Sequence, residues 1–390
     1  MSAEATHEIA PTRDNFSGGS LFDCDENEAD VGQSPSIKVC LSITSFPVSH
    51  VREHDKVLYN TNNHQDYEVD PERPNALQKR ADGKRRLETA DYAAKLEQCR
   101  TEHWVDEFHS HYRVINIPRH HLQWMKTASV VACQKAGVSP AFVEDIEDAV
   151  QTIGTGNTFS SCVRELPETG YFVRTSTVSL KDGVHGVGPY YGLKEILEST
   201  VTARMGHQGV DGATSSLKYF LFPWISNLHR HREFRVFVCK KRVTAISQQS
   251  LYDPNTILST LKDPRDVATV IQNWCRRLLP YINNVVIPKI TWMDEFVMDI
   301  VLLGPIPSAT STTSADVVDL TNPEKLVPYF IETNPFGFAY SSGSSLFHWV
   351  NDYAELYGIS TNSDSTGTTS IAFRYTAQDH VAAVALQVEL

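Results

Sequence analysis

Three strand-like runs in this chain each break an apolar pattern with an ionisable side chain: Arg235 in "EFRVFV", Asp299 in "FVMDIVLL" and Glu332 in "YFIETNP". A charge buried in a sheet is costly unless it is paired or holds a ligand. Any fold this chain adopts must therefore supply partners at these three places. Asn334 stands two residues beyond Glu332, and side chains at i and i+2 of a strand project from one face. Asp299, Glu332 and Asn334 together would form an all-oxygen site suited to magnesium. The alternative is that Asp299 pairs with an arginine and that Glu332 and Asn334 cap the turn before Pro335. For Arg235, a bidentate clamp on phosphate or carboxylate stands beside an ion pair with Glu233 or Asp299.

Composition narrows the class. The chain has 390 residues and a net charge of −12, which disfavours nucleic acid or an anionic membrane as the main partner. No run approaches the length of a membrane span, and the polar N-terminus lacks the apolar segment of a signal peptide. The 7 cysteines are scattered, with no Cys-x-x-Cys pair, which argues against zinc or a disulfide framework. A cytoplasmic protein is the expectation.

Residues 1–88 carry an acidic cluster from Asp23 to Asp30, a Ser/Pro-rich stretch and a basic run from Lys79 to Arg86, the texture of a poorly ordered extension. Within it, "VCLSITSF" has the pattern of one docking strand. Beyond 88, strands and helices interleave as in an α+β protein. The spacing predicts a helix over "PRDVATVIQNWCRRLLPYI", with Asp263 as N-cap, Pro264 at N1 and an apolar stripe of Val267, Val270, Ile271, Trp274 and Leu278. "EFRVFVCKKRVTAISQ" predicts two strands around a turn at Lys240–Lys241. "GVHGVG" reads as a flexible lid, "SATSTTSAD" as a surface loop, and the stretch from "NSDSTGTTS" onward as a mobile tail with one strand-like segment. The histidines of "HRHREFR" suit either contact with an acidic substrate or a solvated turn.

Two more basic residues complete a phosphate-binding set: Arg174 in the strand "YFVRT" and Lys181 in the loop "STVSLKDG". With "FVMDI", "FIETNPFG", "SLFHW" and the opening "CRTEHWVDEF…VINIP", these motifs run in order from Cys99 to Trp349. In that order they resemble the cell division cycle protein 123 family, whose members have an ATP-grasp nucleotide site. The resemblance implies two α/β lobes with antiparallel or mixed sheets sandwiching ATP and Mg2+: residues 89–220 as the N-terminal lobe and 221–390 as the C-terminal lobe. It implies that Arg174 holds the α/β-phosphates, and that Lys181 and Asp182 belong to the loop over them. Leu221, Phe222, Pro223 and Trp224 would form the adenine hinge. Arg235 would face the γ-phosphate, and Asp299, Glu332 and Asn334 would hold magnesium.

The chain departs from the family where Gln249–Ser250 replaces an Arg-Asp pair and where "FAYSSGS" follows "NPFG". These departures spare the nucleotide site and point to a changed second substrate. The resemblance therefore implies an ATP-dependent carboxylate–amine ligase acting on small molecules, with Arg235 and Lys181 as catalytic cations. Its alternative is an ATP-binding assembly chaperone for eukaryotic translation initiation factor 2, gripping the γ subunit.

Overall fold

The computed structural model describes residues 38–55, 57–61, 67–69, 77–79, 89–135, 137–154, 169–204, 206, 209–210, 216–305, 322–337, 342–359 and 369–390. The acidic cluster at 23–30, most of the basic run at 79–86, and residues 308–316, 338–341 and 360–368 lie outside them.

The described strands are β1 (Val39–Pro47), β2 (Tyr67–Val69), β3 (Leu77–Lys79), β4 (Arg113–Pro118), β5 (Tyr171–Thr175), β6 (Ser216–Pro223), β7 (Glu233–Cys239), β8 (Arg242–Gln248), β9 (Phe296–Leu303), β10 (Val327–Pro335), β11 (Thr369–Ala377) and β12 (Ala385–Glu389). They make a 7-stranded sheet in the order β10-β9-β7-β8-β11-β1-β12, a 3-stranded sheet β4-β6-β5 and the hairpin β2-β3. The large sheet is mixed: β11 runs parallel to both β8 and β1, and the other pairings are antiparallel. The small sheet is antiparallel throughout. The architecture is α+β, as the interleaved patterns predict.

Period-2 alternation divides the large sheet's two faces. Phe234, Val236, Met298, Ile300 and Phe330 point to one side, where the helix Pro264–Tyr281 lays down its stripe and Trp274 meets Phe234 at 5.4 Å between ring centres. Asp263 caps that helix by accepting from the Arg265 N–H at 2.8 Å, with Pro264 in the first turn. On the other face, Phe237, Val297, Phe336, Phe347 and Trp349 cluster at one end. The charged positions occupy the rest of that face. The turn between β7 and β8 places Lys240 and Lys241 at φ 51° and 59°, the doubly left-handed geometry of a tight hairpin. It is held by the Lys241 N–H on the Asp294 carbonyl at 2.9 Å.

The small sheet has its own core, in which Ile117, Met125, Ile146, Val173, Leu197 and Tyr219 join the strands to three helices: Arg119–Lys135, Val143–Gly154 and Leu193–Thr202. The helix Thr101–Phe108 links the two sheets. Its Trp104 lies 5.4 Å from Phe330 of the large sheet and 6.4 Å from Phe222 of the small one.

At the chain's ends one expectation holds and one is corrected. Val39–Pro47, which contains the expected docking strand "VCLSITSF", is paired along its full length with β11 and for five residues with β12, and Leu41 and Ile43 are fully buried. The expected C-terminal tail is instead β11 and β12, part of the same sheet. Neither end shows a long apolar run, because each strand gets its burial from partners far away in sequence. The lobe division expected at 220/221 falls inside β6.

Deleting residues 1–47 removes β1 from between β11 and β12. We expect the shortened chain to lose its cooperative thermal transition, followed by circular dichroism. Melting at the full-length temperature would show that β1 is dispensable.

Candidate functional site

Strand register brings the three interrupting charges together. Glu332 on β10 pairs with Asp299 on β9, and Asp299 pairs with Arg235 on β7. The row continues through Ser247 on β8 to Arg374 on β11. A β-bulge between Phe330 and Glu332 sets the first of these pairs: Phe330 lies opposite Ile300, and Ile331 is the extra residue. Without it, Ile331 would face Asp299 and Glu332 would turn to the apolar side.

Arg235 donates to both oxygens of Asp299, Nε to Oδ1 at 2.8 Å and Nη2 to Oδ2 at 2.7 Å, and its Nη1 donates to the Gly343 carbonyl at 2.7 Å. Gln249 Nε2 adds a bond to Asp299 Oδ2 at 3.3 Å. The ion-pair alternative for Arg235 and Asp299 is thus realised, and their side chains are only 12% and 3% exposed. Burial works against the Arg235 charge, but Asp299 outweighs it, and the guanidinium stays protonated. For Asp299, burial and the facing Glu332 carboxylate together overcome the pull of Arg235 and raise its pKa. Burial acts the same way on Glu332, but Arg174, Lys181 and Arg235 reverse it and hold that carboxyl below its usual range.

The small sheet contributes Arg174. Its Nη1 reaches Glu332 Oε2 at 2.8 Å, and its guanidinium stacks 4.9 Å from the centre of the Trp104 ring. The residue is 2% exposed, and its Nε has no hydrogen-bond partner. Arg174 thus ties the small sheet to the large one through a carboxylate. Beside it, burial and then the Arg174 charge push His109 down to about 4, so that imidazole is neutral. Lys181 and Asp182 are exposed, and the Lys181 charge is felt at Glu233 and Glu332.

Glu233, two residues before Arg235 on the same face, is the site's third carboxylate. Burial, reinforced by Asp299, pushes it up to about 7. Asn334 donates to Glu332 Oε1 at 3.4 Å, leaving its carbonyl oxygen outside that bond. Of the four hinge residues, Leu221 and Phe222 are buried, Pro223 has no N–H, and Trp224 donates its N–H to the Gly170 carbonyl at 3.1 Å.

The donor chemistry fits a hard divalent cation. Two carboxylates of like charge face each other across a strand pair, an amide oxygen lies two residues on, and a bound cation would relieve their repulsion. Among the described residues no group of three or more His, Cys, Asp or Glu side chains is placed to hold a metal. Any magnesium here would rest on two carboxylates, Asn334 and oxygens from outside the protein.

Other motifs fall outside the site. The glycine-rich loop expected to be a lid is pinned to the helix Leu193–Thr202. Val184 N–H donates to Thr202 Oγ1 at 2.9 Å, and His185 bonds Glu198 at 2.6 Å. A Cβ at Gly183 would come within 2.6 Å of the Ser199 carbonyl. Nor is "HRHREFR" a solvated turn: His231 and Arg232 are buried, and Arg232 Nη2 donates to the carbonyls of Gly304 and Pro305 at 3.2 and 3.0 Å. The Cys239 thiol donates to Glu295 and is pushed up to about 12, chiefly by burial, which removes it as a nucleophile. Sequence reasoning missed Trp104, which gave no signal of its own within "CRTEHWVDEF", and Gly343, a backbone acceptor with no side-chain signal.

No protein-family model and no curated protein matches the chain. Among solved structures it is similar to Cdc123 from Schizosaccharomyces pombe and to a C-terminally truncated form of that protein. Each is 16% identical, with a TM-score of 0.44 over 72% of this chain and 97% of the other. Among the described residues, no helix is long and apolar enough to cross a membrane.

Two outcomes follow from these contacts. Asp299→Ala strips the buried Arg235 of its carboxylate and is expected to cost about 3–5 kcal/mol in chemical denaturation; a loss below about 1 kcal/mol would contradict the buried pair. For Glu233, the folded-state pKa of about 7 lies above the ordinary value of 4.5. Its contribution is therefore present below pH 4.5 and lost as pH rises through 7. Glu233→Gln should accordingly raise the melting temperature relative to wild type at pH 8 and leave the difference near zero at pH 4.5. Equal differences at both pH values would place Glu233 in solvent.

Proposed function

We propose that the protein binds magnesium–ATP between its two sheets and uses it to join a carboxylic acid to an amine. The observation that carries this reading is the Glu332–Asp299–Arg235 row, with Arg174 and Lys181 brought against it from the small sheet. A rigid row of two carboxylates and a guanidinium, answered by cations from a second element, is what positioning a polyphosphate with its metal requires. Asp299, Glu332 and Asn334 would hold the metal, which would supply charge neutralisation at the phosphate oxygens.

In this reading Arg235 stabilises charge on the transferring phosphoryl. Lys181 is the one exposed cation of the set and closes over the phosphates. The carboxylate substrate displaces ADP at the γ-phosphorus, and the amine then displaces phosphate from the acyl carbon. This chemistry needs no side-chain nucleophile, in keeping with the inert Cys239.

A second reading is nucleotide binding without ligation, as in an assembly chaperone for the γ subunit of translation initiation factor 2. Its support is that Arg235 and Arg174 are already engaged by Asp299 and Glu332, so much of the site's charge holds the site itself together.

Calorimetric titration of Mg-ATP tests the shared core of both readings. Glu332→Gln and Asn334→Ala are each expected to weaken binding at least about tenfold, and only in the presence of magnesium. Unchanged affinity in both variants would sink the site. Mass spectrometry of nucleotide products then separates the readings. ADP formed only with a particular acid–amine pair supports ligation, and binding without turnover on any pool supports the chaperone.

A further inference from the structure

Arg235 spends its third donor group on a backbone atom, the carbonyl of Gly343. That carbonyl belongs to the serine-rich segment Ser342–Leu346, which follows β10 and crosses the row at Ser247. The segment is fixed from two sides. Toward the sheet, Ser345 Oγ donates to the Gln248 carbonyl at 2.6 Å, and Leu346 N–H donates to Ser247 Oγ at 3.1 Å. On the outside it is held by a short piece of chain far away in sequence. Asn60 N–H donates to the Ser345 carbonyl at 2.5 Å, Ser344 N–H to the Thr61 carbonyl at 3.2 Å, and Trp349 N–H to Thr61 Oγ1 at 2.9 Å.

Asn60 is shaped for this position. It sits at φ 45°, a left-handed conformation that asparagine tolerates better than most residues. Its Nδ2 donates to the Tyr252 hydroxyl at 3.2 Å. Its Oδ1 lies where residue 343 has no room: a Cβ there would stand 2.5 Å from Asn60 Oδ1 and 3.6 Å from Arg235 Nη1. A side chain at 343 would thus collide with Asn60, while standing only at ordinary contact distance from Arg235.

We infer that Asn60 and Thr61 are positioning residues for Arg235: by pressing the Gly343 carbonyl onto Nη1, they set the orientation of the guanidinium beside Asp299. The consequence for nucleotide affinity rests on the proposed function, but the positioning itself does not. The segment expected to lie in a poorly ordered extension becomes a part of the site's wall.

The test uses the full chain and two readouts. In nucleotide-free protein, the Arg235 guanidinium resonances are assigned by their loss in Arg235→Lys, and exchange of the Nη protons with water is measured. Gly343→Ala is expected to speed that exchange at least about tenfold, the loss of one hydrogen bond to a charged group. The double variant Gly343→Ala/Asn60→Gly removes the obstructing amide and is expected to restore slow exchange, a rescue that general damage would not show. Thr61→Val removes the Oγ1 contacts to the Ser344 hydroxyl at 3.0 Å and to the Trp349 N–H without adding bulk, and is expected to speed the same exchange. It also serves as the variant of record should Gly343→Ala fail to fold.

Wild-type exchange in Gly343→Ala or in Thr61→Val, or an effect in Gly343→Ala that Asn60→Gly does not reverse, would overturn the inference. Mg-ATP affinity is read in parallel and should follow the exchange. Rescue of exchange in a protein with no nucleotide affinity at all would uphold the positioning role and defeat the nucleotide site instead.

Discussion

The bidentate bond between Arg235 and Asp299 is the interaction on which the rest of the site depends. Each side chain is too buried to stand alone, so β7 and β9 must be neighbours in one register. Once β9 is placed, the bulge in β10 turns Glu332 toward Asp299, and Glu332 in turn reaches across to Arg174 of the other sheet. Three cations (Arg174, Lys181, Arg235) thus stand against three carboxylates (Glu233, Asp299, Glu332), and the pKa of each carboxylate is raised or lowered by its neighbours. The balance is close to neutral, and this lets so many charges share a buried place while leaving two carboxylates in mutual repulsion.

The supporting structure divides its work by face. One side of the large sheet is mostly apolar and rests on the helix Pro264–Tyr281, which gives the charged row a rigid base. The other side is apolar at the end marked by Phe237, Phe347 and Trp349 and polar where the row lies. Trp104 spans the two sheets, touching the aromatic rings of both and stacking under Arg174. The same row ends in Arg374, whose contacts with Asp352 at 2.6 and 2.8 Å are as tight as those of Arg235. That pair, beyond Ser247 from Arg235, ties the segment after Trp349 to the sheet.

Much of the site was legible in the sequence, because a lone charge in an apolar strand is conspicuous. Arg235, Asp299, Glu332 and Arg174 stood out on that ground, and the structure brings all four together. Lys181 was found by its place in the loop that follows the Arg174 strand. The parts that were not legible are those whose signal is not a side chain. Gly343 acts through its carbonyl, and the β10 bulge is a register shift that leaves no mark in composition. Trp104 is indistinguishable from core on an amphipathic helix. Asn60 lies in a stretch whose polarity reads as linker.

By itself the sequence determined which residues must find partners, the α+β alternation, and local features such as the Asp263 cap, because these follow from short-range spacing and from the cost of burying a charge. The tertiary structure alone decided which charge meets which, that Val39–Pro47 and the last strands complete one sheet, and that the Asn60 segment backs the site. Strand order and register are set by contacts between residues hundreds of positions apart. No local pattern specifies them, because any half-buried strand could pair with several others until the whole sheet chooses.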